Sequence, residues 1–223
     1  MAAKKMTGKP EKKPLESRGY LFEVRAENDD TGTYITGRPI VYESKTDLGW
    51  FDEIIERGAL DHTDLTDVRF LVNHDTSKIP LARSRKNNVN STMQLSVDEN
   101  GLAIRVNLDI ENNTEAKNLH SAVSRGDITG MSFMFSIDTE EWENLESDHP
   151  TRRIRSISSV IEVSAVTFPA YGDTEINARC KETLESARQA VETAREQRSE
   201  TSVETGGELE LLKLKTKIIT GGF

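Results

Sequence analysis

The run that most constrains the fold is residues 126–137, GDITGMSFMFSI. Read as a strand, it puts Met131, Phe133, Phe135 and Ile137 on one face and Ile128, Gly130, Ser132, Met134 and Ser136 on the other. The first face is wholly apolar and needs a core against it. The second holds a hydroxyl, Ser132, rigidly opposite that anchor, and small Gly130 leaves its approach open. Taken alone, the run is a half-buried strand whose serines face water. A nucleophile there needs partners from elsewhere in the chain.

The surrounding pattern is mostly β. YLFEVRA and TYITGRPIVY flank the polar turn NDDTG and predict an opening hairpin. WFDEIIERGAL, residues 50–60, predicts a short helix ended by Gly58. VRFLVNHD is a buried strand that stops at Asn73, His74 and Asp75. Alternation of Leu102, Ile104, Val106 and Leu108 after DENG predicts a second hairpin with residues 93–97. Ala116, Leu119, Ala122 and Val123 recur at helical spacing between a cap at Asn113 or Thr114 and Gly126. An acidic exposed loop is expected over residues 140–150, then a long strand over 154–168 closed by Pro169. In that strand Val160, Glu162, Ser164 and Val166 share a face, which sets a carboxylate among hydrophobes.

The ends differ in composition. Residues 1–17 carry Lys4, Lys5, Lys12 and Lys13 with two prolines and predict a disordered arm. Residues 18–179 form the compact domain, and residues 180–223 are a helical and linker tail. Its stripe of Leu184, Ala187, Val191 and Ala194 suits either a second subunit or docking on the core. The net charge of −9 argues against a nucleic-acid partner, and no run approaches the roughly 20 apolar residues of a membrane span. The single cysteine, Cys180, reads as a passive thiol and points to a reducing cytoplasm.

Three polar residues stand at strand positions or strand ends where hydrophobes would serve: His74, Ser132 and Glu162. Serine hydrolysis uses this set. A neutral hydroxyl is a poor nucleophile; an imidazole, ordinarily with a pKa of about 6.5, can take its proton, and a carboxylate can orient the imidazole. Two other readings compete. Glu162 suits an ion pair with Arg152, Arg153 or Arg155, and His74 suits a metal site with His120 and Asp75. There is no GxSxG elbow, Walker loop, HExxH or paired cysteine.

The ordered series NHD, DENGL, RGDITGMSFMF, Trp142 and EVSAVTFPAY resembles the prohead maturation proteases of tailed bacteriophages, whose fold is similar to that of the herpesvirus assemblins. The resemblance spans roughly residues 20–179. It implies a mainly β fold with flanking helices (α+β), an assemblin-like β-barrel core and a C-terminal helical tail. It also implies a serine endopeptidase with Ser132 as nucleophile, His74 as general base and Glu162 as third member, working without metal or cofactor. Arg153 and Arg155 are candidate oxyanion donors. Met134 and Ala82 depart from the pattern, each standing where a glycine is usual. The expected partners are the major capsid protein with its scaffold segment and further copies of the chain, with no nucleic acid and no membrane. The expected place is the host cytoplasm, inside the immature capsid. A non-enzymatic scaffold or capsid-assembly protein acting through its helical tail is the alternative.

Overall fold

The computed structural model describes residues 15–20, 24–29, 32–168, 185, 187–193 and 195–196. Strands dominate: β1 (Glu16–Tyr20), β2 (Val24–Asp29), β3 (Gly32–Val41), β4 (Lys45–Asp47), β5 (Asp52–Ile55), β6 (Asp67–Val72), β7 (Ala82–Arg85), β8 (Met93–Asp98), β9 (Gly101–Asn107), β10 (Gly130–Glu143) and β11 (Thr151–Val166). One helix, α1 (Thr114–Arg125), lies between β9 and β10, and the described residues within 185–196 are helical.

Among the described residues the strands form two sheets. The smaller runs β2-β3-β9-β8, and it contains both expected hairpins. Its second turn depends on Gly101, whose φ of +130° suits glycine and whose missing Cβ would lie 2.1 Å from the carbonyl oxygen of Ile40. The larger sheet runs β1-β10-β11-β5-β4, with β6 paired to both β11 and β7.

Long β11 organises the larger sheet. One flank pairs antiparallel with β10, while the other takes β5 along Thr151 to Ile154 and β6 along Glu162 to Ala165, both parallel. The sheet therefore forks instead of returning on itself. The mainly β expectation holds, but neither sheet closes, so the expected barrel is not present as a closed sheet among the described residues.

Ile35, Ile40, Leu102 and Ile104 from the smaller sheet share one hydrophobic cluster with Phe70, Phe133, Phe135 and Val163 from the larger. Helix α1 adds Ala116, Leu119 and Val123 to it, as its periodicity predicts. Asn113 caps the helix by accepting from the N–H groups of Glu115 and Ala116 at 3.0 and 3.2 Å, and left-handed Gly126 ends it.

Other expectations need correction. Residues 52–55 are a strand, not a helix, because Asp52, Glu53 and Ile55 are buried where β5 runs beside the start of β11. Residues 140–143 continue β10, so the acidic loop is shorter than expected. Glu16 and Ser17, read as part of the arm, lie in β1. The rest of the arm, Cys180 and the linker after the helical segment lie outside the described residues. Within that segment Ala187 and Val191 are buried, and Arg195 Nε donates to the carbonyl of Leu145 at 2.7 Å, which favours docking on the core. No helix among the described residues is long and apolar enough to cross a membrane.

Candidate active site

The β10–β11 ladder sets the first pieces. Ser132 pairs with Ser164 and Met134 with Glu162, so Ser132, Ser164 and Glu162 project from one face. Met131, Phe133 and Phe135 fill the opposite face and are wholly buried, which fixes the strand carrying the hydroxyl.

His74 arrives from the end of β6. Beyond Val72, Asn73 and His74 both adopt left-handed backbone, with φ of 52° and 56°, turning the chain over the β11 face. Such backbone costs about 1–3 kcal/mol per residue and persists only when surrounding contacts hold it. They do so here. Asn73 N–H donates to the carbonyl of Ala165 at 2.9 Å, its side-chain amide donates to Thr167 Oγ1 at 3.1 Å, and Thr167 N–H donates back to Asn73 Oδ1 at 2.9 Å.

The imidazole then lies between the other two groups. His74 Nε2 is 2.6 Å from Ser132 Oγ, and Nδ1 is hydrogen-bonded to Glu162 Oε1. Ser164 Oγ donates to the second oxygen, Glu162 Oε2, at 2.7 Å and accepts from the backbone N–H of His74 at 3.1 Å. An ionised carboxylate only accepts, so Nδ1 carries the proton and Nε2 presents a lone pair to the hydroxyl. That arrangement can draw a proton from Ser132 and stabilise the resulting imidazolium.

These contacts decide the competing readings. The oxygens of buried Glu162 are engaged by His74 and Ser164, not by an arginine. His74 meets Ser132 and Glu162, whereas His120 lies in α1 and the Asp75 carboxylate accepts from Ser77 N–H at 3.1 Å and from its hydroxyl at 2.5 Å. The candidate oxyanion donors are engaged elsewhere: Arg153 stands opposite Glu141 in the β10–β11 ladder, whereas Ser132 stands opposite Ser164. Its Nε donates to Glu143 Oε1 at 2.7 Å, and Arg155 pairs with Glu141. Neither guanidinium reaches the hydroxyl.

The approach to Ser132 is closed, contrary to expectation. Strand β1 pairs along β10 with Gly19 opposite Ser132, and Ser132 is only 2 % exposed. Ser132 Oγ lies 2.7 Å from the Arg18 carbonyl oxygen, and Ser17 Oγ lies 3.0 Å from His74 Nε2.

Sequence reasoning missed Ser164 and β1. Ser164 was visible as a hydroxyl two residues beyond Glu162 on the same face. Nothing in ESRGY marks it as a strand across Ser132.

A model of the caudovirus prohead serine proteases matches residues 21–189. No curated protein matches the chain. Among solved structures, the bacteriophage T4 capsid assembly protease, gp21, is similar at 11 % identity and a TM-score of 0.41, covering 68 % of this chain and 96 % of that one.

Proposed function

Since this chain belongs to the caudovirus prohead serine protease family, we propose that it is an endopeptidase of phage head maturation with Ser132 as nucleophile, His74 as general base and Glu162 as the carboxylate that orients the base. One observation carries the assignment of roles: His74 Nε2 stands 2.6 Å from Ser132 Oγ while its Nδ1 is held by Glu162.

Ser132 Oγ adds to the carbonyl carbon of the scissile bond as its proton passes to His74 Nε2. Glu162, accepting from Nδ1–H, stabilises the imidazolium. The C–N bond then breaks, and the departing amine takes the proton from Nε2. Water, deprotonated by the same nitrogen, hydrolyses the Ser132 ester and restores the hydroxyl. Only the proton and the acyl group move. Strand β10 holds Ser132, and Glu162 on β11 holds the His74 ring that arrives from the end of β6, so the pair is set without reorganisation.

The substrates we propose are the scaffold segment at the N-terminus of the major capsid protein and the protease itself, both inside the immature shell. Confinement raises the effective concentration of substrate, so weak recognition by each enzyme suffices. The test is co-expression with the cognate capsid protein and intact-mass measurement of both. Capsid protein shortened by the wild type and left whole by Ser132→Ala supports the reading. Equal shortening by both chains contradicts it and leaves the scaffold alternative.

A further inference from the structure

Strand β1 lies where a peptide substrate would have to lie, and it is fixed there by charge. Glu16 and Arg18, two residues apart, both point beneath the strand into a buried cluster with Glu53 and Arg152. Arg18 binds Glu53 through Nε at 2.6 Å and Nη2 at 2.8 Å. Arg152 binds Glu16 through Nη1 at 2.8 Å and Nη2 at 2.9 Å. Paired guanidinium–carboxylate contacts of this kind are directional as well as strong. The sheet's own contribution is two acids and one base: Glu53 and Arg152, whose side chains are also 3.2 Å apart, and Glu140 of β10, which accepts from Arg152 Nε at 2.9 Å. Glu53 is 1 % and Arg152 3 % exposed. Without β1 these two groups would line the edge of β10, with Phe135 below the Arg18 position at 5.7 Å from its guanidinium carbon to the ring centre.

We propose that the edge of β10 beside Ser132 is a peptide-binding groove, that Glu53 and Arg152 select an extended segment with a basic residue two positions after an acidic one, and that β1 is its internal occupant. The proposal rests on the peptidase reading above. The register follows from β1: the carbonyl that meets Ser132 Oγ belongs to Arg18, so the residue held by Glu53 is the one preceding the cleaved bond. A peptide adding to a sheet edge gains affinity from main-chain bonds and specificity from alternate side chains, and Arg18 and Glu16 are such alternates. Glu53 takes Arg or Lys, and Arg152 takes Glu or Asp two residues earlier.

The same contacts explain how β1 can sit in the groove without reacting. His74 Nε2 has one lone pair, within reach of both Ser17 and Ser132. When the Ser17 hydroxyl donates to it, the Ser132 hydroxyl donates to the Arg18 carbonyl instead, and the nucleophile loses its base. Entry of a substrate therefore requires β1 to leave.

The test uses the full chain and its Glu16→Ala/Arg18→Ala double variant. Removing both charges together leaves Glu53 and Arg152 paired with each other, so no buried charge is stranded. We expect a fluorophosphonate to modify Ser132 about tenfold faster or more in the double variant, from loss of charge-assisted bonds. Equal rates overturn the occlusion and leave the nucleophile standing, whereas no modification of Ser132 in either chain takes down the peptidase reading and this proposal with it. The second arm compares synthetic peptides containing Glu-Ala-Arg-Gly and Glu-Ala-Gln-Gly. In the double variant, kcat/KM should favour the arginine peptide by about tenfold or more, and adding Glu53→Gln should bring the ratio towards one. Being internal to each enzyme preparation, the ratio is insensitive to a loss of folded protein. A ratio near one in the double variant overturns the selectivity.

Discussion

Ser164 Oγ donates a hydrogen bond to Glu162 Oε2 at 2.7 Å, and the same oxygen accepts the backbone N–H of His74 at 3.1 Å. One hydroxyl thus ties the left-handed turn carrying His74 to the Glu162 carboxylate. We predict that Ser164→Ala lowers kcat about tenfold, the equivalent of one hydrogen bond of about 1–1.5 kcal/mol, with little change in KM. A change confined to KM would mean that Ser164 contacts substrate instead.

Glu162→Gln presents an amide to Nδ1 and can turn the imidazole to the wrong tautomer. Kinetics of peptide cleavage should show a loss of up to about 10⁴-fold in kcat with the fold intact. Full activity in this variant would remove Glu162 from the mechanism.

Much of this site was legible because it broke local rules. A carboxylate inside the apolar run of β11, a histidine where β6 stops and a serine in the apolar β10 are costly choices for a strand, and the structure gathers all three. Helix α1 and the β8–β9 hairpin were legible for the opposite reason, since their periodicity, caps and turn residues agree locally. Long-range pairings were not. The five residues of β1 lack apolar alternation, and Arg18 lies 114 residues from Ser132. Strand β5 reads locally as a helix because its parallel partner, the start of β11, comes almost 100 residues later. Arg153 and Arg155 drew notice as cations in the right strand, but only the register reveals that they stand at its far end.

Burial alone would push the Glu16 carboxyl up, but Arg18 and Arg152 outweigh it and hold the group below the ordinary carboxylate range. Because the folded value is depressed, its stabilisation is fully present above the unfolded value of about 4.3 and is lost as pH falls through the folded one. Thermal melts should therefore show wild type more stable than Glu16→Gln at neutral pH, with the gap closing as pH falls below that of an ordinary glutamate. A gap independent of pH would contradict the role given to this ion pair.

Gly101→Ala should cost about 2–4 kcal/mol, from left-handed strain plus overlap with the backbone. Its added methyl would stand 2.1 Å from the Ile40 oxygen at a φ of +130°. Urea midpoints measure this directly, and a loss below about 0.5 kcal/mol, the usual scale of a surface substitution, would contradict the geometry.

We also predict self-trimming between about Cys180 and Gly207. A peptide must be extended to enter the cleft, and the linker composition of residues 201–207 suits this better than the helical segment before it, where Ala187 and Val191 are buried. Intact masses of wild type and Ser132→Ala expressed in parallel decide it. Trimming confined to the wild type is expected, and equal or absent trimming counts against it.

The most direct test of the central claim is the site of covalent modification. The Glu16→Ala/Arg18→Ala chain, treated with a fluorophosphonate and mapped by peptide mass spectrometry, should carry a single adduct on Ser132. The adduct should be absent when Ser132→Ala is added and strongly slowed when His74→Ala is added. An adduct on another serine, or labelling that survives Ser132→Ala, would contradict the assignment of Ser132 as the nucleophile.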